Sequence, residues 1–443
     1  MELGATSRAA LAALDVLSCR GRSSRLKKKS FRFHSCLFLC CNCKAVKNTM
    51  MEPWSKKHKL VTKASQGGVK FSLSNSFAQP TSQRELRALT LERNDHKLLE
   101  DFDNHALDYT PNGGSLDLRC EIAKLYSSSS ISADNILVFP GAQIALQTAA
   151  VALARDHHSI VFTPGYQSTV MGPSMAGGKV SMIPLSAVDG WRVPLDKVRR
   201  AIIPGETKYL VINEPYNPAG TLMTREDQRK LVEIAAAHDI RIMSDEVYRL
   251  LEHNGTKDRL PAMADLYVKG ISCVTLSKPW GGCGVSIGWL AFQDLTIKQQ
   301  LIDVQYFGCA CPGRSSELQA IMTLRASDVI LERNLKIIRY NLNLLDLFMD
   351  KYNDLFEWVR PKAGAVAFLK FKGPMTSEEL GAELASVGIS IKPAYCFSDV
   401  VTEEIDYFRV GYGEKKMAAA LASLESHVER RAESWRAGKG SRL

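Results

Sequence analysis

The chain has 443 residues, 45% of them apolar and 23% charged, an ordinary globular composition long enough for two or three domains or one large α/β domain with a lobe attached. No apolar run approaches the roughly 18 residues needed to span a bilayer, which argues against a membrane protein. The formal net charge is +10, but residues 1–70 carry 15 Lys or Arg against Glu2, Asp15 and Glu52. The rest of the chain is therefore near neutral, with no basic face for nucleic acid.

Residues 1–65 are basic, poor in acid and rich in Ser, Ala and Cys, the composition of a disordered or targeting tail. Met50 and Met51 stand just before the pattern becomes regular and offer an alternative start. Cys19, Cys36, Cys40, Cys41 and Cys43 cluster in the tail, but "HSCLFLCCNC" lacks the paired CxxC spacing of zinc modules, so no metal site is expected. The body cysteines are scattered, as reduced intracellular thiols are. The expected location is cytoplasmic, or a mitochondrion or plastid if the tail is a transit peptide.

From about residue 106 short apolar runs alternate with helical patterns. Strands are expected at about 135–139, 159–163, 208–213, 240–244, 271–277 and 287–292. "GAQIALQTAAVALARD" is helix-like, and "TREDQRKLVEIAAAHD" opens on the capping-box pair Thr224 and Asp227. Continuously apolar strands alternating with helices mean a mostly parallel sheet covered on both faces. Ligands bind such sheets beyond the carboxyl ends of the strands.

The residues that follow each strand carry chemistry. Gly141 in "PGAQ" opens a helix whose first N–H groups make an anion site. Tyr166 in "PGYQ" can stack on a flat ligand. "NEPYNPAG" holds Asn217 between Pro215 and Pro218, a stiff setting for an amide donor. Asp245 emerges from a buried strand with Tyr248 at i+3, and an acid there needs a cationic partner. Lys278 leaves the strand at 271–277 for a glycine-rich turn, and a lysine partly removed from water becomes a nucleophilic amine. Each has a plainer reading: a common turn glycine, a helix-packing tyrosine, a structural turn, a salt bridge, a structural lysine. Five in succession along one sheet edge favour function.

In this order, "NEPYNPAG", "SDEVY", "TLSKPWGGCGVSIGW" and "YFRVGYG" resemble the class I/II aminotransferases of fold type I, which use pyridoxal phosphate. The resemblance runs from about residue 70 to 425. It implies an α/β fold with a mostly parallel, seven-stranded-type sheet in a large domain (106–324). A smaller α/β domain would be formed by 70–105 and 325–430. It implies that Lys278 forms the Schiff base and moves protons at the substrate's α carbon. Asp245 would pair with the ring nitrogen, Asn217 and Tyr248 with the ring's 3-oxygen, and Tyr166 with the ring face. Gly141, Ala142, Gln143, Thr275 and Ser277 would hold the phosphate. Tyr109 would reach the phosphate of a neighbouring subunit, which implies a homodimer. Arg409, with Asn217, would take the substrate's α-carboxylate.

Two departures from the family stand out. Ser286 occupies the place of an arginine usually found on the phosphate, and "FSLSNSFAQP" lacks the glycine usually beside the substrate. The expected activity is transfer of an amino group between an amino acid and a 2-oxo acid. The alternatives are a lyase or cyclase on the same cofactor, acting for example on an arginine-like amino acid, or a non-catalytic homologue. The sequence does not name the amino acid.

Overall fold

The structure is a computed structural model that describes residues 69–438. The basic tail expected over residues 1–65, its cysteine cluster and the alternative start lie outside the described residues.

The strands, in chain order, are β1 (Phe71–Ser72), β2 (Ile136–Phe139), β3 (His158–Thr163), β4 (Lys179–Pro184), β5 (Thr207–Asn213), β6 (Arg241–Asp245) and β7 (Gly270–Thr275). They continue with β8 (Gly288–Phe292), β9 (Phe356–Trp358), β10 (Val366–Phe371), β11 (Ile389–Ser390), β12 (Lys392–Pro393) and β13 (Tyr407–Gly411). A seven-stranded sheet has the order β2-β8-β7-β6-β5-β3-β4. Only β8 runs against the others in it, pairing antiparallel with both β2 and β7. Strands β2, β7 and β8 are buried at every position, as strands covered by helices on both faces must be. The six strands expected from the sequence all belong to this sheet. The seventh, β4, is not among them. It lies at the sheet's edge with most of its side chains partly or fully exposed, so "KVSMIP" carries no apolar run.

The expected helices also form. The helix Ala142–Leu153 follows β2, and the helix Arg225–Ala237 is capped at Thr224, whose Oγ1 accepts from Asp227 N at 3.0 Å.

A second, antiparallel sheet has the order β12-β13-β10-β9. Alternation along β10 and β13 divides its faces. Leu369, Phe371, Phe408 and Val410 join an apolar cluster with Ile338, Leu342 and Phe348 of the helix Ser327–Lys351 and Leu424 and Val428 of the helix Met417–Ala437. Phe368 and Tyr407 point the other way, into a cluster with Trp191 and residues of β3, β5 and β6. Arg409 lies on this same face, across from Phe368.

The N-terminal segment is shared between the two sheets' surroundings. Strand β1 pairs with β11 beside the small sheet. The helices Gln83–Glu92 and His96–Asn104 instead put Leu86, Leu89, Leu98 and Leu99 in a cluster with Ile136 and Trp289 of the large sheet. Between them, residues 73–80 run as a strap across the carboxyl end of the large sheet, where Ala78 N donates to Lys278 O.

Candidate active site

A cleft of about 270 Å³ opens at the carboxyl ends of β2, β5, β6 and β7. It brings together eleven of the residues singled out from the sequence: Gly141, Ala142, Gln143, Tyr166, Asn217, Asp245, Tyr248, Thr275, Ser277, Lys278 and Ser286.

The wall at Gly141 is backbone. Gly141 has φ 96°, a conformation that L side chains rarely adopt, and the helix Ala142–Leu153 starts after it with no side-chain cap. Its first N–H groups therefore face the cleft without a side-chain partner. Gly288, on β8, permits the close approach. A Cβ there would stand 2.5 Å from Ala142 N and 2.7 Å from the Gly141 carbonyl carbon. Beside this wall, Thr275 Oγ1 donates to Ile287 O at 2.9 Å and accepts from Ser277 N at 3.3 Å. Ser286 completes the rim in a left-handed conformation, φ 56°.

The acid and the amine come from adjacent strand ends. Asp245 is the last residue of β6 and only 2% exposed. Burial pushes its carboxyl up to about 7, opposed by the Val247 N–H at 3.3 Å from Oδ1 and by the charge of Lys278. No other donor among the described residues reaches the carboxylate. Lys278 sits in the turn after β7, where burial holds its amine down to about 8. Its Nζ donates to Ser76 Oγ at 3.0 Å. Tyr248 donates through its hydroxyl to Ser76 O at 3.1 Å, and burial raises its phenol to about 12. Tyr166 is half-buried at the mouth, its phenol raised first by burial and then by Asp245.

Arg409 closes the side toward the small sheet. It is buried, with Nη1 donating to Asn217 Oδ1 at 3.0 Å and Nη2 to Ser74 O at 2.8 Å. Its guanidinium lies 5.3 Å over the Phe397 ring. Asn217 is itself positioned, its N–H donating to Asn213 Oδ1 at 2.6 Å.

Tyr109 is the exception. It is 90% exposed and lines a separate surface cleft with His105 and Arg314. Within one chain it does not join the others.

Sequence reasoning misses Ser74, Ser76 and Phe397. "FSLSNSFAQP" stands out in the sequence for its missing glycine, yet Ser76 supplies an oxygen to the lysine and another to the tyrosine.

These donors fit pyridoxal phosphate. A capless helix N-terminus flanked by hydroxyls suits a phosphate. A buried carboxylate with a single backbone donor suits a protonated ring nitrogen across the cleft. A lysine held near neutrality suits covalent attachment to an aldehyde.

Known proteins carry the same chemistry. The family model for aminotransferase class I and II matches residues 74–422, and the chain belongs to that family. The aromatic-amino-acid aminotransferase 2 of Thermococcus litoralis is 25% identical over 350 residues, covering 75% of this chain and 86% of the relative. An aspartate aminotransferase of Pyrococcus abyssi is 26% identical with the same coverage. A solved PLP-dependent aminotransferase from Streptococcus suis 89-1591 is 27% identical, with a TM-score of 0.77 over 85% of this chain and 98% of that one. The protein is thus a fold type I, pyridoxal-phosphate-dependent aminotransferase acting on amino acids and 2-oxo acids. The lyase and cyclase alternatives have no better support. Among the described residues no helix is long and apolar enough to cross a membrane.

Proposed function

We propose that Lys278, Asp245, Asn217, Tyr248 and Arg409 carry the amino-group transfer. The observation that carries this reading is the convergence of a buried, near-neutral amine and a buried carboxylate on one cleft, with a buried arginine at its flank.

Gly141, Ala142 and Gln143 would hold the phosphate through backbone N–H groups, helped by Thr275, Ser277 and Ser286. Lys278 would hold the cofactor covalently. When bound, pyridoxal phosphate supplies the electron sink that lets a bond at the substrate's α carbon break. Asp245 keeps a proton at the ring nitrogen, because a buried carboxylate is stabilised by a cation beside it. Asn217 and Tyr248 would offer an amide and a phenol to the ring's 3-oxygen, and Tyr166 would pack on its face. Freed from its covalent bond when the substrate's amino group takes its place, Lys278 Nζ would accept the proton from the substrate's α carbon and serve as its carrier. An amine near pH 8 exchanges protons readily at cellular pH. Arg409 receives the α-carboxylate in a bidentate fork, oriented by Asn217.

The working form is a homodimer in which Tyr109 completes the neighbouring subunit's phosphate site. Its exposure, together with that of Leu107 and Phe307, supports this reading, since large apolar side chains left bare mark an interface. The functional division we propose is a large domain over 106–324 and a small one over 70–105 and 325–430, with the helices Gln83–Glu92 and His96–Asn104 packed in the same apolar cluster as Ile136 and Trp289 of the large sheet. The location is the cytoplasm, or an organelle if residues 1–65 direct it there.

The test is optical. The purified protein with added pyridoxal phosphate should show a visible absorption band that borohydride abolishes. Lys278→Ala should lose both the band and turnover, and a wild-type protein that stays colourless would sink the reading. An amino acid should convert the cofactor to its amine form; release of ammonia or carbon dioxide instead would move the activity to the lyase class.

A further inference from the structure

We propose that Lys392 is a specificity-determining residue that receives, beside Arg409, a second anionic group on the substrate, so that the preferred amino acid has an acidic side chain. This rests on the reading of Arg409 as the α-carboxylate site.

Lys392 and Arg409 are partners across the antiparallel pair β12–β13. Residues directly opposite in such a pair project from the same face, with Cβ atoms about 5 Å apart. That face is the one turned toward the large sheet, where Arg409 meets Asn217 and Ser74. Lysines are common on edge strands, where a solvated charge discourages pairing with other chains. Lys392 is on an edge strand, but it is largely withdrawn from water. Burial first, and then the charge of Arg409, lowers its ammonium to about 7. Lys278 also acts on it from the cleft.

No acceptor among the described residues takes a hydrogen bond or ion pair from Lys392. Among the described residues no carboxylate bonds to Lys392 or Arg409; the thiol of Cys396 and two phenols are what oppose their loss of charge. Two basic groups side by side, poorly hydrated and with no carboxylate partner among the described residues, disfavour each other's charge and raise the free energy of the protonated, empty site. A ligand with one carboxylate relieves this at Arg409 and leaves Lys392 unpaired. A ligand with two carboxylates relieves it at both. An arginine-like side chain would add a third cation, so the same geometry disfavours it.

The experiment compares two four-carbon acids that differ by one charge, succinate and butyrate, binding to the cofactor-loaded enzyme. Affinities are read by calorimetry and by the absorbance of the bound chromophore. Succinate should bind at least tenfold more tightly than butyrate. Lys392→Met, which keeps length and removes charge, should cut that ratio at least tenfold, and Lys392→Arg should restore most of it. Lys392→Gln serves if the Met variant folds poorly. An unchanged ratio in Lys392→Met overturns the proposal, and so does an equal weakening of both acids, which would put Lys392 on the shared carboxylate. Failure of the broader reading is distinct: the wild type would not load, or would bind neither acid.

Discussion

Arg409, on the small sheet, donates from Nη1 to Oδ1 of Asn217, on the loop after β5, at 3.0 Å. The bond orients a buried guanidinium that has no carboxylate partner among the described residues, leaving its charge available to a ligand. It also fixes the amide that flanks the cofactor's place. One contact thus ties recognition of the substrate's carboxylate to placement of the ring.

Arg409→Lys should therefore lower kcat/KM by about 100-fold, mostly through a higher KM. The loss of a bidentate, desolvated partner for a carboxylate costs roughly 2–5 kcal/mol. Steady-state kinetics with the best amino acid substrate checks this. An unaltered KM would show that the α-carboxylate is held elsewhere.

Asp245 gives a pH test without cofactor. Burial raises its folded value to about 7 from 3.8, so between about pH 4 and pH 7 the folded chain holds a proton that the unfolded chain has lost. Stability of the unloaded protein contributed by this group is then greatest below pH 4 and falls as pH rises toward 7. Asp245→Asn should remove that fall, leaving a variant whose thermal midpoint exceeds wild type most at pH 7.5 and least at pH 5. Parallel midpoint curves for the two proteins would contradict the assignment. Glu246, also raised to about 7 by burial, is coupled to Asp245, so a Glu246→Gln background isolates the Asp245 contribution.

Ser286→Arg should tighten cofactor binding by about 10- to 100-fold, the range of one added charge-assisted hydrogen bond to a phosphate. Ser286 already occupies the left-handed region, so the change adds charge without adding a new backbone penalty of that kind. Equilibrium binding of pyridoxal phosphate, followed by fluorescence quenching, measures it. No tightening would mean that the backbone and hydroxyl donors already satisfy the phosphate.

Gly288→Ala should weaken cofactor retention more than any neighbouring glycine change at Gly284. The new methyl would press on Ala142 N and the Gly141 carbonyl carbon, displacing the anion-binding turn, whereas a Cβ at Gly284 meets nothing within 4 Å. Overpacking of this kind costs about 1–3 kcal/mol. Dialysis against buffer lacking cofactor, followed by the visible band, separates the two variants; equal retention would refute the role given to Gly288.

Much of this site is legible in the amino-acid sequence. Asp245 and Lys278 each end a buried apolar run, and a charged group at that point needs a reason that few other positions demand. Asn217 is marked by two prolines, and Gly141 by its place between strand and helix. Strand β4 is not legible, because an edge strand with exposed side chains has neither a continuous nor an alternating apolar pattern. Nor is the strap. Ser76 is 202 residues from Lys278, and Ser74 is 335 from Arg409; no spacing within the sequence relates them.

The sequence by itself determined the local facts: which runs were buried strands, where each ended, and which chemical group stood at each end. These follow from short-range patterning, since period and burial are written into neighbouring residues. Tertiary structure decided what meets across long separations. It laid the strap over the lysine and tyrosine, put Arg409 against Asn217, and set Lys392 beside Arg409 with no acid among the described residues to pair them. Such contacts exist only because burial of the apolar clusters brings distant segments together, and the polar groups at those meetings are placed by the packing beneath them.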